Sequence, residues 1–332
     1  MGKKQIELFK KYKPLMKQLV IKDIKLKYRR SFLGYIWSIL NPLMIMIIMV
    51  IVFRQMFRFN IENYPVYLII GSTLFSFMSD ATSQAMWSII GNSALLKKTY
   101  VPKYIFAISK ITSSFVNTLF SLGAMLIVFI VCGVKFNFYM FWIPVVLIQI
   151  YIFSIGLGLL LAQGCVFFRD IQHIYAAVLT AWNYLTPIFY PIEQLPEQVQ
   201  HLIKIFNPMY SYVVQFRTIV LKGVFPDIKW ILYGFTVALI SLVVGSIVFS
   251  KTQDKFILYI YAFLSFQVRK VFLFLGGNIL SDVLMYFEKG GLVMYPLLIC
   301  SLVIIFIAIE RYLFFKSIDS GHLFTKQYCD IL

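Results

Sequence analysis

The stretch YRRSFLGYIWSILNP, residues 28–42, joins a basic aromatic arm to the first long apolar segment of the chain. Arg29 and Arg30 end the charged arm, and Trp37 and Pro42 lie in the apolar segment that follows. A change from clustered positive charge to an uncharged run is typical of the point at which a chain enters a membrane. The stretch therefore predicts a helical membrane protein whose first span begins near residue 33.

The composition of the whole chain agrees with this prediction. Of the 332 residues, 60% are hydrophobic and 14% are charged, and the mean hydropathy is +0.81, which excludes a soluble globular protein. The interval 63–96 contains only one charge, Asp80, and the other long intervals are uncharged: 33–53, 111–134, 136–168, 171–192, 230–250 and 292–309. We expect six spans up to residue 250 and one more near the C-terminus.

The predicted architecture is an all-α membrane protein. It comprises a six-span bundle with an N-terminal interfacial helix and re-entrant half-helices on the outer side, plus one extra C-terminal span. The predicted parts are a cytoplasmic amphipathic arm (1–33), the six-span domain (34–255), a junction of undecided topology (256–287) and a segment with one span (288–332).

Lys and Arg are concentrated at the N-terminus. Residues 1–33 contain eleven of them against two acids, which predicts a cytoplasmic N-terminus in a multi-pass protein of the inner cell membrane. Residues 3–27 suggest a helix lying along the inner leaflet, and an ordinary basic flank is the alternative. The net charge of +17 is therefore a signal of topology and of attraction to anionic lipids, so no nucleic-acid partner is expected.

Signals of catalysis are weak throughout the chain. The 14 acids are dispersed, which disfavours a membrane glycosyltransferase, and the four cysteines are too far apart for a zinc site or a disulfide framework. The phosphate cradle Gly-x-x-x-x-Gly-Lys-Ser/Thr is missing from the sequence, so this chain is not expected to hydrolyse ATP. We expect no catalytic residue, metal or cofactor in this chain.

A polar stripe marks the second predicted span. Asp80 and Gln84 share a helix face with Ser76, Ser83 and Trp87, because their spacing is three or four residues. The stripe lines a transport path in one interpretation and holds helices together by hydrogen bonds in the other. The sequence favours neither.

Two inner loops follow from the predicted topology. The first, 92–103, is basic and predicts a short cytoplasmic helix that stops at Pro102 and docks on a partner; a solvated basic turn is the alternative. The second contains Arg169 and Asp170 and is so short that its two helices must nearly touch there. The opposite charges of the second loop are expected to pair locally.

The segment 186–226 differs from the spans because five prolines interrupt its apolar runs. It is too broken for one span and too apolar for an exposed loop. We expect half-helices that re-enter the membrane from the outer face, since broken backbone is tolerated there only inside protein or beside a cavity. A lid on the membrane surface is the alternative.

Seven motifs, in order, resemble the permease subunit of ABC-type polysaccharide exporters, which carry O-antigen, capsule and teichoic acid chains. The resemblance covers about residues 5–260, and its motifs are 28–42, 95–103, 168–170, Pro187/Tyr190/Pro191, Asn207-Pro208-Met209, Arg217 with Gly223 and Pro226, and 251–256. It implies a half-transporter that forms a homodimer and binds two copies of an ABC ATPase, which hold the ATP and Mg²⁺.

The implied function is the ATP-driven export of a lipid-linked polysaccharide across the inner membrane. The alternatives are a drug or lipid exporter and, with less support, a proton-channel component of biopolymer transport. The resemblance implies an ATPase coupling loop, an N-terminal gate and a translocation path with aromatic side chains. For each aromatic residue of the path, the alternative is a position in the belt of aromatic residues at the membrane interface. The residues are Leu95, Leu96, Lys97, Lys98, Pro102 and Lys103 for the loop, Tyr28, Arg29, Arg30 and Trp37 for the gate, and Asp80, Gln84, Tyr184, Phe189, Tyr190, Tyr210 and Tyr212 for the path.

The tail extends beyond the expected end of such a permease. Residues 278–320 resemble the N-terminal part of proton-channel proteins of the ExbB/TolQ/MotA type, with 288–298 leading into a span that Glu310 and Arg311 close. We expect the tail to mark the junction of two neighbouring genes. The nucleotide sequence across codons 255–285 tests this, and a clean reading frame encoding two expressed, fused domains would contradict it.

Overall fold

The computed structural model describes residues 3–28, 34–57, 63–98 and 101–256. All regular secondary structure in these ranges is helical, as the sequence predicts. The α-helices are α1 (Lys3–Tyr28), α2 (Trp37–Phe57), α3 (Tyr64–Gly91), α4 (Ser93–Lys98), α5 (Tyr104–Val131), α6 (Ile143–Phe167), α7 (Ile171–Leu185), α8 (Glu197–Phe206), α9 (Pro208–Arg217) and α10 (Ile228–Thr252).

Part of the sequence prediction lies outside the described residues. This part includes Arg29 and Arg30 of the predicted gate, as well as all of the tail except Phe256. The proposed gene junction and the extra C-terminal span therefore stay predictions.

The six predicted spans up to residue 250 correspond to α2, α3, α5, α6, α7 and α10. Among the described residues, three stretches are long and apolar enough to cross a membrane, namely Tyr104–Val131, Phe138–Phe167 and Ile228–Thr252, and Trp37–Phe53 is a shorter apolar helix. The 15 residues of α7 cover about 22 Å at 1.5 Å per residue, less than the ~30 Å of a bilayer core. The number of spans therefore stays a prediction.

The proline-interrupted segment folds into two short helices, α8 and α9. Pro208 opens α9 with a φ angle already suited to a helix, and the Asn207 side chain accepts a hydrogen bond from the Met209 backbone N at 3.1 Å. A π-helical turn, Thr218–Lys222, follows and ends at Gly223, whose φ of +66° is the left-handed conformation that glycine adopts readily. The segment thus contains two short helices of ten residues each, while their re-entry into the membrane from the outer face stays a prediction.

α3 and α6 form the centre of the bundle. α6 packs on α3 and α10, and α5 packs on α3, α2 and α1. The crossing of α6 and α10 is closest at Gly156 and Gly245, where a Cβ on either glycine would overlap the backbone of the other helix. Glycine therefore allows a backbone approach that other residues prevent.

Large apolar side chains also cover the outward faces of α2 and α10. Ile51 is 59% exposed and Leu232 is 61% exposed. An exposed apolar face of this kind suits contact with lipid rather than with water.

α1 is the predicted amphipathic arm, and it lies against α5. Asp23 of α1 forms an ion pair with Lys110 at 2.7 Å, and Val20 is buried in the same contact region. Lys13 and Lys17 are exposed. The helix is thus confirmed, while its contact with the inner leaflet stays a prediction.

Candidate functional site

A polar groove of about 400 Å³ lies among α2, α3 and α5, with the end of α1 at one side. Most of its lining side chains carry a hydroxyl, an amide or a charge, and the apolar residues Trp37, Pro42, Ile45 and Phe77 complete the wall. The polar lining residues are Lys27, Ser38, Asn41, Ser72, Thr73, Ser76, Asp80, Ser114, Asn117, Thr118 and Ser121. We define these residues, with Trp37 and Phe77, as the polar groove.

Asp80 is an exposed part of the groove wall. Gln84 Nε2 donates to both carboxylate oxygens at 2.9 Å, and Ser114 Oγ donates to one of them at 3.0 Å. The Ser114 bond joins α3 to α5, so the carboxylate contributes to helix association. The same carboxylate also faces the groove, so the structure combines elements of both interpretations and the path role stays a prediction.

A second feature is the outer loop, residues 186–191, which connects α7 to the short helices. Its backbone is not helical, yet side chains from other elements bind four consecutive carbonyl groups. Arg217 Nη1 donates to Pro187 O at 2.7 Å, and Nη2 donates to Ile188 O at 3.0 Å. These bonds satisfy polar backbone groups that would otherwise be costly to bury.

Two tyrosines of α3 complete the support of the outer loop. Tyr64 Oη donates to Phe189 O and Tyr67 Oη donates to Tyr190 O, both at 2.9 Å. We call Tyr64, Tyr67 and Arg217 the outer clasp. The clasp attaches the outer loop to α3 and α9, so the loop position depends on three side chains.

Arg217 is 8% exposed, and it also donates to Tyr67 O at 3.2 Å from Nε and 3.0 Å from Nη2. Its Cζ atom lies 3.3 Å from the centroid of the Tyr67 ring, a cation–π contact. The partners in these contacts are carbonyls and an aromatic ring. The planar guanidinium thus binds three carbonyls in two backbone segments, α3 and the outer loop.

The Asn207–Met209 turn is tied to α7. Trp182 Nε1 donates to Asn207 Oδ1 at 2.8 Å, and Asn207 Nδ2 donates to Thr186 Oγ1 at 2.9 Å. Elsewhere on the described helix α7 the only buried side chain is Tyr175, whose hydroxyl lies 2.6 Å from Thr82 Oγ1. α7 is therefore held by these polar contacts and by a narrow apolar face that includes Leu179 and Trp182.

The predicted path aromatics are placed very differently from one another. Tyr212 is fully buried and donates to Gly234 O at 3.1 Å, and Tyr210 and Phe189 are also buried. Tyr184 is 62% exposed and Tyr190 is half-buried. Burial leaves Tyr212, Tyr210 and Phe189 no appreciable surface for a glycan in this conformation, and the path role of Tyr184 and Tyr190 stays a prediction.

The predicted coupling loop contains the short helix α4. Leu96 is buried and Leu95 is half-buried, whereas the side chains of Lys97 and Lys98 lie outside the described residues. The described part of α4 is Ser93–Lys98, and Val101 and Pro102 are not helical, so the predicted stop at Pro102 stays a prediction. Pro102 precedes α5, and its carbonyl accepts a hydrogen bond from Ile105 N at 3.1 Å.

Lys103 connects this loop to the end of α10. Its Nζ donates to Gln253 O and lies 5.5 Å from the centroid of the Phe256 ring. Burial lowers the pKa of Lys103 from its ordinary value, and the negative charge of Asp254 opposes this shift.

Phe256 is fully buried between two other aromatic rings. Its centroid lies 5.8 Å from that of Phe167 and 5.3 Å from that of Phe249. We call Lys103, Phe167, Phe249 and Phe256 the inner cluster. It brings together the predicted coupling loop, the end of α6 and the end of α10.

The remaining predicted residues lie at helix ends. Arg169 and Asp170 belong to the three-residue connection between α6 and α7, as expected of a very short loop, and their mutual pairing stays a prediction. Tyr28 is the last residue of α1, and Trp37 is 43% exposed on the wall of the polar groove. The predicted gate thus lies beside the groove through Trp37.

Sequence reasoning did not identify Tyr64 and Tyr67 as functional positions. Arg217 and the 251–256 motif, which ends at Phe256, were noted only through the resemblance. The available signal for Arg217 was a single cation within the otherwise uncharged stretch 205–221, a pattern that indicates a buried charge with dedicated partners.

Comparison with known proteins shows that residues 14–221 match the family described as ABC-2 type transporter. The chain is 30% identical over 246 residues to the O-antigen export system permease protein RfbA of Myxococcus xanthus, covering 74% of this chain and 95% of that protein. It is 28% identical over 236 residues to RfbA of Klebsiella pneumoniae, covering 71% and 90%. The polysialic acid transport protein KpsM of Escherichia coli is 22% identical over 252 residues, covering 74% and 96%.

Proposed function

This chain belongs to the ABC-2 type transporter family, and from that premise we propose that it is the permease subunit of an ATP-driven polysaccharide exporter. The observation that carries the proposal is the similarity to an O-antigen export permease along 95% of that protein's length. The proposed cargo is a lipid-linked glycan of the O-antigen, capsule or teichoic acid type, moved outward across the inner membrane.

The family implies an ATPase partner, because an ABC transporter hydrolyses ATP on a separate nucleotide-binding component. We propose that ATP and Mg²⁺ bind on that partner and that α4 receives its motion. The basic arm and the basic loop 92–103 support a cytoplasmic position for the N-terminus and for α4.

We also propose that two copies of the permease form the transport path. The support is the large exposed surface of the described helix α7, on which Tyr175 is the only buried side chain. A helix with so little packing inside its own subunit suits a lipid-facing or partner-facing position. The outer clasp and the inner cluster would then stabilise the two ends of each subunit while the transport path opens between the two subunits.

Deleting the gene is expected to remove the glycan from the cell surface while the chains accumulate inside. A plasmid copy is expected to restore the surface glycan. The measurement compares lectin or antibody labelling of intact and permeabilised cells. Normal surface labelling combined with altered drug sensitivity would favour the drug-exporter alternative instead.

Replacing Phe256 by alanine is expected to weaken both stability and coupling. Removing a buried phenylalanine costs about 3–5 kcal/mol, and here the cavity would lie between the coupling loop and the ends of two long helices. We expect less ATPase to co-purify with the variant and the export rate to fall severalfold.

The matched control is Phe168→Ala, because Phe168 follows Phe167 of the inner cluster directly in sequence but is 71% exposed. Its effect on melting temperature and on ATPase recovery is expected to be small. Equal ATPase recovery and export for Phe256→Ala and Phe168→Ala would contradict a coupling role for the inner cluster.

A further inference from the structure

The polar groove has the chemistry of a sugar-binding site. Sugar hydroxyls need donors and acceptors, and the groove offers hydroxyls, two amides and one carboxylate beside the Trp37 ring. Its volume of about 400 Å³ falls in the range of roughly 300–1,000 Å³ that is usual for small-ligand pockets.

Asp80 is held in place but retains the capacity to bind a ligand. Gln84 and Ser114 make three hydrogen bonds to its carboxylate, at 2.9, 2.9 and 3.0 Å. An ionised carboxylate has about four acceptor positions, and all three contacts come from donors. The exposed carboxylate can therefore accept a further hydrogen bond from a hydroxyl group of a molecule in the groove.

Thr73 provides a second, independent observation. Its residue is 6% exposed and lines the groove, yet its buried Oγ1 atom finds no hydrogen-bond partner among the described residues. Buried hydroxyl groups are normally paired, so this one is an unused polar group in the groove wall. It has almost no surface open to the groove, so it would bind a sugar hydroxyl only after a shift of the wall.

The charge of the groove limits the type of sugar. Lys27 comes from the end of α1, whereas Asp80 is the only acid among the residues that line the described groove. Lys27 and Asp80 contribute one charge of each sign, so the lining of the described groove has no net charge, which suits an uncharged sugar unit. A carboxylate or phosphate on a sugar beside Asp80 would meet a like charge, and Asp80→Asn would leave only the positive charge of Lys27.

We propose that the polar groove is a binding subsite for one uncharged sugar unit of the exported glycan. In this subsite, Asp80 accepts hydrogen bonds from the sugar hydroxyls and disfavours acidic sugars. This proposal rests on the proposed export function and deepens it. The glycan would pass the groove as an uncharged chain, and strongly acidic chains would bind weakly.

The test measures oligosaccharide binding to the purified permease–ATPase complex by titration calorimetry. The probes are a neutral tetramer of N-acetylglucosamine and an acidic tetramer of galacturonic acid. Wild type is expected to bind the neutral tetramer at least tenfold more tightly than the acidic one. Asp80→Asn keeps the side-chain shape and removes the charge. It is expected to reduce the ratio of the two affinities, neutral over acidic tetramer, to about two.

The control is Glu197→Gln, because Glu197 is an exposed acid in the first turn of α8 and lies away from the groove. It is expected to leave the ratio unchanged. Tighter binding of the acidic tetramer, no binding of either tetramer by wild type, or an unchanged ratio in Asp80→Asn would overturn the subsite.

These outcomes are separable from those of the proposed function. If gene deletion removes the surface glycan but Asp80→Asn leaves the ratio unchanged, only the sugar subsite is refuted. If gene deletion leaves the surface glycan intact, the export function itself is refuted.

Discussion

Replacing Arg217 by alanine is expected to abolish export and to lower the yield of folded permease. The change removes donors from Tyr67 O, Pro187 O and Ile188 O, all close to a buried guanidinium. Hydrogen bonds to charged groups contribute about 1.5–3 kcal/mol each, and the carbonyls left behind have no water to replace the donor. We expect a loss of about 3–5 kcal/mol in the free energy of unfolding.

The measurement is the melting temperature of the purified permease in detergent, together with surface glycan in a complemented deletion strain. Arg217→Lys keeps the charge but loses the planar fork, so it is expected to recover only part of the stability. The matched control is Lys222→Ala, because Lys222 is an exposed cation only five positions further along the chain. Wild-type melting and export in Arg217→Ala would refute the role of the outer clasp.

Replacing Gly156 by alanine is expected to separate α6 from α10 and to destabilise the whole bundle. An added Cβ would overlap the backbone of Ser241 and Leu242, neither of which can move aside as a side chain can. Overpacking of this kind costs about 1–3 kcal/mol and sometimes more. The melting temperature of the purified permease measures the loss.

The matched control is Gly123→Ala, in the interior of α5. An added Cβ there would lie 3.8 Å from Ile39 Cδ1, an ordinary van der Waals distance. Alanine favours a helix over glycine by roughly 0.5–1 kcal/mol, so Gly123→Ala is expected to be neutral or slightly stabilising. The same small effect at both glycines would show that the close crossing does not limit stability.

The helices were largely predictable because their signals are local. Long uncharged runs indicated α2, α5, α6 and α10, and the prolines of 186–226 indicated that the outer segment is broken.

The site was less predictable because its main partners are backbone atoms. The carbonyls of 187–190 carry no sequence signal, so the contribution of Tyr64, Tyr67 and Arg217 became visible only in the fold. For the same reason, the aromatic residues Tyr210 and Tyr212 looked like path candidates although the subunit buries them. Asp80 was predictable because a carboxylate in an apolar span needs a polar environment.

The central claim is that this chain moves a glycan across the membrane using a partner's ATP hydrolysis. The most direct measurement uses lipid vesicles reconstituted with the purified permease and the ATPase that co-purifies with it. The ATPase faces the outer solution of these vesicles. Labelled lipid-linked glycan from the deletion strain is added outside, and its protection from a glycan-degrading enzyme is followed over time. The account predicts protection that requires hydrolysable ATP. ATP hydrolysis without any protection of the glycan would contradict it.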